Sequence, residues 1–387
     1  MRRDTVASCS AAVIFSTAQG LSAVALPLLA LQAGYSAALI GVLTAFSAVA
    51  QLACRPFLGH VMRVVPDWTL LLCAAVCLTA SNGLAASSAA LVPFVFAQAL
   101  QGVARACFWT GSQTHVVRGP GSSLGALAVV NLLANGGALL GPLLAGFLSA
   151  RVSIEFALGV GAAIAALGVL PTVVLDRLPP FAPRTGTGPR QRTWRRPGVD
   201  AGCWASLSAG AWRGLMSSYV PVILAATAYS EAAIGVFVAV ANGAMLLGSG
   251  ASGRIRHSRL AACYAGATLA TGVAVIAVAV VAAAPAVVVA ALLASGLGAG
   301  ALQTIGPAIA SDAVDPEERG DAIAVSGTFR AAALFVAPLL VAGLVTVLPL
   351  AAAMGAAGAA MLAPALASRR LSAHLRADPL EDVDDVR

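Results

Sequence analysis

Three arginines lie inside long apolar stretches of this sequence, and they are the residues there that could do chemistry: Arg105, Arg213 and Arg330. A guanidinium keeps its charge and matches carboxylate or phosphate groups with paired N–H donors. Each arginine costs about 2.5–3.5 kcal/mol at mid-bilayer on the insertion scale. We therefore expect a positively charged cavity for an anionic or carbonyl-rich solute. The alternative, in which they clamp helices through backbone carbonyls or amides, stays open.

Amide side chains occur in the same stretches and complete the candidate binding site. Amides avoid hydrocarbon as charged groups do, so they turn toward water or a partner. Besides the three arginines, the predicted binding residues are Gln19, Gln98, Gln101, Asn131, Asn135, Asn242 and Gln303.

Acidic residues and histidines map to loops, tails and the ends of the apolar stretches. We expect no buried carboxylate that could relay a proton, and we expect each histidine, His115 among them, to be solvated. The sequence offers no nucleophile–base pair, metal-ligand spacing or nucleotide loop. It therefore predicts no catalytic residue, no metal site and no cofactor, and it argues against an enzyme.

The composition excludes whole classes of protein. Of 387 residues, 59% are hydrophobic and 10% charged, against about 25% charged in an ordinary soluble domain. The mean hydropathy is +0.89. Soluble enzymes, nucleic-acid binders and disordered chains are excluded. The expected surroundings are a lipid bilayer, specifically the plasma membrane, and we expect a bacterial inner membrane.

The apolar stretches predict an all-α polytopic membrane protein, because a spanning helix needs about 20 apolar residues. Two of the boundaries, 282–286 and 346–349, are ambiguous. The twelve predicted transmembrane helices are 9–31, 36–55, 68–86, 91–114, 124–148, 153–175, 201–226, 231–251, 260–282, 286–310, 322–346 and 349–367.

The arginines orient these helices. With the N-terminus inside, 19 of the 23 fall on the cytoplasmic side and only Arg151 falls outside. The positive-inside rule then puts both termini in the cytoplasm. Helices 6, 9 and 12 carry no charged or amide residue in their interiors, and helix 3 carries only Asn82 near its outer end. We therefore expect every third helix to face lipid.

An internal repeat divides the chain. Residues 34–45 (GYSAALIGVLTA) align without gaps to 228–239 (AYSEAAIGVFVA), an offset of about 194 residues. This predicts two parallel six-helix pseudo-repeats, a plan known among secondary transporters. The predicted domains are an N-terminal bundle, a basic cytoplasmic linker, a C-terminal bundle and a cytoplasmic tail, at 1–175, 176–200, 201–367 and 368–387 respectively.

The chain resembles the major facilitator superfamily over essentially its full length, and specifically its exporter or drug-efflux branch. The segment 137–146 (GALLGPLLAG), with Gly137, Gly141 and Pro142, resembles the family's exporter-associated motif. The loop after helix 2 keeps Arg55 and Gly59 of the gating motif but has Arg63-Val64 instead of the Asp-Arg pair. On helix 4, Gln98 stands where the family motif carries arginine, and Arg105 follows seven residues later. The remaining gating and packing residues implied are Gly253 and Arg319.

The resemblance implies a secondary active transporter that exports a small organic solute by alternating access between two bundles. We expect a monomer with a small-molecule substrate. An importer, an anion exchanger or a uniporter of the same fold is the alternative. A non-transporting membrane receptor on this scaffold is disfavoured by the polar residues in both halves.

Overall fold

The chain folds into helices and the turns that join them. The computed structural model describes residues 3–62, 64–118, 123–178, 193–196, 198–252, 255, 259–314, 319–366 and 368–371, and no β-strand occurs among them. Helices suit a bilayer because they satisfy their backbone hydrogen bonds within one segment. The predicted all-α class is confirmed.

Fourteen α-helices lie in the described part of the chain, together with two short 3-10 helices at Thr193–Arg195 and Ala363–Leu366. In chain order they are α1 (Arg3–Gln32), α2 (Ala37–Val61), α3 (Asp67–Ser87), α4 (Leu91–Arg118), α5 (Ser123–Arg151), α6 (Ile154–Leu167), α7 (Val169–Val174), α8 (Val199–Met216), α9 (Tyr219–Ala226), α10 (Glu231–Ser252), α11 (Leu260–Val280), α12 (Pro285–Asp312), α13 (Arg319–Leu344) and α14 (Leu350–Ala360).

Eleven segments of the described chain are long and apolar enough to cross a membrane. The first of the two ambiguous boundaries separates α11 from α12, which begins at Pro285. Proline is favoured at the first position of a helix because the N–H that it lacks would have no partner there. The second boundary separates α13, which ends at Leu344, from α14, which begins at Leu350. Both predicted breaks are confirmed.

The predicted seventh span, 201–226, forms two helices, α8 and α9, instead of one. Pro221 has no N–H for the carbonyl of Ser217, and its ring crowds that carbonyl. The hydroxyls of Ser217 and Ser218 donate to the Gly214 carbonyl at 3.1 and 2.7 Å and compete with the backbone ladder. The helix therefore stops at Met216 and restarts at Tyr219. A total of twelve spans stays a prediction.

The chain groups into two compact units. Unit 1 comprises residues 1–187, 214–243 and 338–350, and unit 2 comprises residues 188–213, 244–337 and 351–387. Helices α8, α10, α13 and α14 contribute residues to both units. The division into two six-helix halves, the repeat and the cytoplasmic termini stay predictions.

Unit 1 is built around the pair α1 and α5. A Cβ atom on Gly137 would lie 2.5 Å from the Val13 carbonyl oxygen, so only glycine lets the two backbones approach this closely. Gly141 makes a similar contact one turn further along α5. The stacked rings of Phe15 and Phe108, 3.9 Å between centroids, join α1 to α4.

Unit 2 uses the same kind of contact on other helix pairs. A Cβ atom on Gly300 of α12 would lie 2.8 Å from the carbonyl carbon of Met245 on α10. A Cβ atom on Gly306 would lie 3.0 Å from the Gly202 carbonyl oxygen, where α12 meets α8. These contacts position the predicted site residues of α8 and α12.

Candidate functional site

Arg105 of α4 is engaged by the helices around it in unit 1. Its Nη2 donates to Ser47 Oγ on α2, and its Nε donates to the Gln101 carbonyl oxygen, 3.3 Å away. The side chain is half-buried. The bond to Ser47 ties α4 to α2, as expected for the helix clamp that the sequence left open as an alternative.

A chain of buried hydrogen bonds continues from Gln101 across unit 1. Gln101 Nε2 donates to Asn82 Oδ1 at 3.2 Å, and Ser22 Oγ donates to the same oxygen at 2.7 Å. Asn82 is 0% exposed, and Ser22 and Gln101 are nearly as buried. One asparagine of α3 therefore joins α1 to α4.

The sequence analysis missed the role of Asn82. It treated α3 as a lipid-facing helix with one amide near its outer end, whereas Asn82 lies at the centre of the buried chain. The available signal was the amide itself, because a single amide in an otherwise apolar span avoids hydrocarbon.

Arg213 and Arg330 occupy neighbouring helices of unit 2. A Cβ atom on Gly210 of α8 would lie 3.0 Å from Cα of Arg330, so α8 and α13 touch there. Arg213 follows Gly210 by three residues, which puts it about 60° around α8 and about 4.5 Å along it. Arg213 is half-buried and Arg330 is exposed. Two guanidinium-bearing positions thus lie within about one turn of a single helix contact.

The predicted amides differ in burial. Gln98 and Asn242 are buried, Gln19, Asn135 and Gln303 are half-buried, and Asn131 is exposed. Gln303 belongs to unit 2 and the others to unit 1. Asn242 Nδ2 donates to the Ala138 carbonyl oxygen of α5 at 3.1 Å, so this amide holds two helices together.

The glycines of the exporter-like segment pack α5 closely against two helices. Gly137 and Gly141 meet α1, and the segment's last glycine, Gly146, meets α10. A Cβ atom on Gly146 would lie 2.9 Å from Cα of Gly235, and a Cβ atom on Gly235 would lie 2.5 Å from the Pro142 carbonyl oxygen. Both sides of α5 thus depend on residues without a Cβ atom.

Tyr219 makes a further contact that the sequence analysis missed. Its hydroxyl donates to the Ala37 carbonyl oxygen at 2.8 Å, where α2 begins. Gly41 makes room for the ring, since a Cβ atom there would lie 2.7 Å from Cζ of Tyr219. The phenol heading the apolar run 219–226 was the only signal, and its partner lies 182 residues earlier in the chain.

Four predicted gating residues cannot be assigned contacts. Arg55 and Gly59 lie within α2 and Arg319 begins α13, but their surroundings fall outside what the structure describes. Gly253 lies outside the described residues.

The expectation about His115 and buried acids was wrong. His115 is 1% exposed, and its Nε2 lies 3.0 Å from Asp4 Oδ1. Its Nδ1 lies 3.2 Å from Oδ1 of Asp67, and Asp67 is itself 1% exposed. Residues at helix ends are buried when several ends converge, which a position along one helix does not reveal. Within the described residues, no group of three or more His, Cys, Asp or Glu could hold a metal ion.

Eleven described segments that are long and apolar enough to cross a membrane define a polytopic membrane protein. The family model of the Major Facilitator Superfamily matches residues 8–338, and the chain belongs to this family. It is therefore a secondary transporter and not an enzyme, and it acts on a small-molecule substrate within a lipid bilayer.

The solved structures that share the fold include two POT family transporters. One is a POT family transporter in complex with 5-aminolevulinic acid, with a TM-score of 0.76. The other is a POT family transporter in complex with a thioalcohol-conjugated peptide, with a TM-score of 0.77. Each is 12% identical to this chain, and each match covers 96% of both chains. No curated protein matches the chain.

Proposed function

We propose that this transporter exports a small organic solute bearing an anionic group, and that Arg213 and Arg330 bind that group. The contact of Gly210 with the Arg330 backbone carries the proposal, because it brings two guanidinium-bearing positions to one place in unit 2. A carboxylate or phosphate can accept paired N–H donors from such a site.

The charges carried by α8 and α13 favour an anion over a cation at this place. Along α8 the nearest acid is Asp200, thirteen residues and about 20 Å from Arg213. Asp200 also lies 3.8 Å from Nη1 of Arg370. Along α13 the nearest acid is Asp321, nine residues and about 14 Å from Arg330. Neither helix brings its own carboxylate to its arginine.

Amides supply the uncharged part of the proposed site. Gln303 precedes Gly306 by three residues on α12, and Gly306 is where α12 meets α8 in unit 2. The side-chain amide of Gln303 can donate a hydrogen bond to the solute or accept one from it. The other predicted amides, Gln19, Gln98, Asn131 and Asn135, belong to unit 1, and we propose that they bind the solute from within that unit. We assign Arg105, Gln101 and Asn242 to helix contacts.

The close packing of α5 supports export by alternating access. The Gly-Pro segment resembles the exporter-associated motif, and its glycines meet α1 and α10. Pro142 lacks one backbone hydrogen bond, so α5 can bend there. We further propose cytoplasmic termini and a position in the bacterial inner membrane, because the arginines are so unequally divided between the two sides.

A binding measurement tests the anion site. The probes are 5-aminolevulinic acid, a dipeptide, and a neutral amide of each. We expect Arg213→Gln and Arg330→Gln to weaken binding of the anionic probes at least tenfold, about 1.4 kcal/mol, and to leave the neutral probes unaffected. The control, Arg151→Gln at the end of α5, removes the same charge and should stay within twofold of wild type. Unchanged binding in both variants, or an equal loss in the control, would overturn the proposal.

A flux measurement tests the direction. Inside-out vesicles should accumulate the probe when an ion gradient is imposed, and right-side-out vesicles should not. Accumulation in right-side-out vesicles would identify an importer instead. Flux that requires counter-substrate on the opposite side would identify an exchanger, and binding without any flux would identify a receptor.

A further inference from the structure

Three ionisable side chains meet at one end of unit 1. Asp4 lies in the first turn of α1, Asp67 is the first residue of α3, and His115 lies in the last turn of α4. The imidazole stands between the two carboxylates. Its Nε2 is hydrogen-bonded to Asp4 Oδ1 at 3.0 Å, and its Nδ1 lies at the ion-pair distance of 3.2 Å from Asp67 Oδ1 without hydrogen-bond alignment. We call this group the His115 cluster.

The two ring nitrogens of His115 make the cluster sensitive to protons. A neutral imidazole has one N–H, so it can donate to only one of the two carboxylates. A protonated imidazole has two N–H groups and can donate to both at once. Histidine is the side chain whose ordinary range of protonation falls between pH 5 and 8.

Other polar groups fix the carboxylates in place. Asp4 Oδ1 accepts from the backbone N–H of Asp176 at 2.9 Å, in the segment after α7. Asp67 Oδ1 accepts from the backbone N–H of Trp68 at 2.9 Å. These bonds hold the acceptors facing the imidazole ring, which is fully buried.

The elements around His115 carry charged side chains that act on its protonation. From α1 there are Asp4 and its sequence neighbour Arg3, and from α3 there is Asp67. The segment after α7 brings Asp176 and also Arg177, whose guanidinium lies 5.3 Å from the Trp68 ring centroid. Near this end α2 carries Arg55 and His60, whose side chains lie outside the described residues.

We propose that the His115 cluster is a proton-binding site that holds the ends of α1, α3 and α4 together. Uptake of a proton by His115 puts a positive charge between two carboxylates at ion-pair distance, and loss of that proton removes the charge that both carboxylates attract. The helix α4 also carries Arg105, ten residues and about 15 Å from His115. A change at the cluster therefore acts on the helix that holds the buried hydrogen-bond chain.

The distribution of arginines places this end of unit 1 on the cytoplasmic side. The site would thus respond to cytoplasmic protons, and the transport rate would depend on internal pH. This last step rests on the proposed transport function, whereas proton binding itself does not.

Thermal unfolding of the purified full-length protein tests proton binding without transport. The melting temperature of wild type should fall by several degrees between pH 5.5 and 8.0, because the protonated ring is attracted by both carboxylates. His115→Gln keeps a donor and an acceptor but takes up no proton, so its pH dependence should be lost over this range. His374→Gln removes an imidazole from the predicted tail and should behave as wild type. A wild-type pH dependence in His115→Gln, or none in wild type, would overturn the proposal.

A second variant covers the case in which His115→Gln does not fold. Asp4→Asn changes the more exposed carboxylate, 23% accessible, and removes one of the two charges. It should give a smaller pH-dependent change in melting temperature than wild type, and an unchanged curve would contradict the proposal.

Flux into and out of proteoliposomes gives the transport readout. With the external pH fixed, the wild-type rate should change at least threefold as the internal pH goes from 5.5 to 8.0, and the rate of His115→Gln should not. An equal dependence in the two proteins would refute the regulatory step. If no probe is transported at all, the proposed function fails, and the melting curves still decide whether His115 binds a proton.

Discussion

Unit 1 and unit 2 hold their intramembrane arginines in different ways. In unit 1, Arg105 donates to the Ser47 hydroxyl and to the backbone carbonyl of Gln101. The side chain of Gln101 in turn donates to the buried amide of Asn82. In unit 2, Arg213 and Arg330 lie beside one helix contact, at Gly210. An arginine in an apolar span therefore does not always have the same role. Arg105 joins two helices of unit 1, and we propose that Arg213 and Arg330 bind the anionic group of the solute.

The contact at Gly210 is the most sensitive point of this comparison. Gly210→Ala would place a methyl group against the Arg330 backbone, and overpacking of this kind costs about 3 kcal/mol. We expect α8 and α13 to separate, with loss of both stability and anion binding, measured by denaturant unfolding and by probe binding.

Gly250 is the matched control, because no atom beyond its neighbouring residues in α10 lies within 4 Å of a Cβ atom built there. Gly250→Ala should leave stability unchanged or raise it by about 0.5–1 kcal/mol through helix propensity. If Gly210→Ala unfolds as wild type does, the two arginines are not neighbours and the contrast between the units disappears.

Substitution of Asn82 tests the chain of buried hydrogen bonds in unit 1. Asn82→Leu keeps a similar volume but removes the oxygen that accepts from Ser22 and Gln101. Gln101 Nε2 loses its acceptor, and the Ser22 hydroxyl keeps only the Ala18 carbonyl, so the free energy of unfolding should fall by about 2 kcal/mol. Asn131→Leu changes an exposed amide in the same way and should shift stability by no more than about 0.5 kcal/mol. Equal effects of the two changes would show that burial of the amide does not matter.

The sequence predicted the helical class and most of the spans, because apolar length is a local property. It also identified Arg105, Arg213 and Arg330 as unusual, since their cost in hydrocarbon is local too. It could not decide which of them clamps helices, because Ser47 lies 58 residues from Arg105. Partners on other helices depend on packing.

The same limit explains the residues that were missed. Asp4 is 111 residues from His115, and the phenol of Tyr219 finds its acceptor 182 residues away. A position near a helix end predicts solvent contact for one helix taken alone. The convergence of α1, α3 and α4 removes that contact from His115.

Substitution of Arg105 should mainly affect stability, whereas substitution of Arg213 should mainly affect anion binding. Arg105→Gln loses the bond to Ser47, so we expect a loss of about 1.5 kcal/mol in stability. Its affinity for anionic probes should stay within twofold of wild type. Arg213→Gln should show the reverse pattern, with weaker anion binding as the main change. Loss of anion affinity in Arg105→Gln would place this arginine in the binding site and break the comparison.

Two tyrosines of unit 1 give the smallest and most specific test of the same idea. Tyr219 donates to the Ala37 carbonyl, whereas the Tyr229 hydroxyl is buried with no hydrogen-bond partner among the described residues. Tyr219→Phe keeps the ring against Gly41 but removes the hydrogen bond from the hydroxyl to the Ala37 carbonyl, so about 1 kcal/mol of stability should be lost. Tyr229→Phe keeps the edge contact with Phe237 and removes an unpaired hydroxyl, so stability should stay the same or rise. A loss in Tyr229→Phe as large as that in Tyr219→Phe would mean that burial of a polar group decides its contribution. The expected difference would show that the hydrogen-bond partner, and not burial alone, decides how much a buried polar side chain contributes to stability.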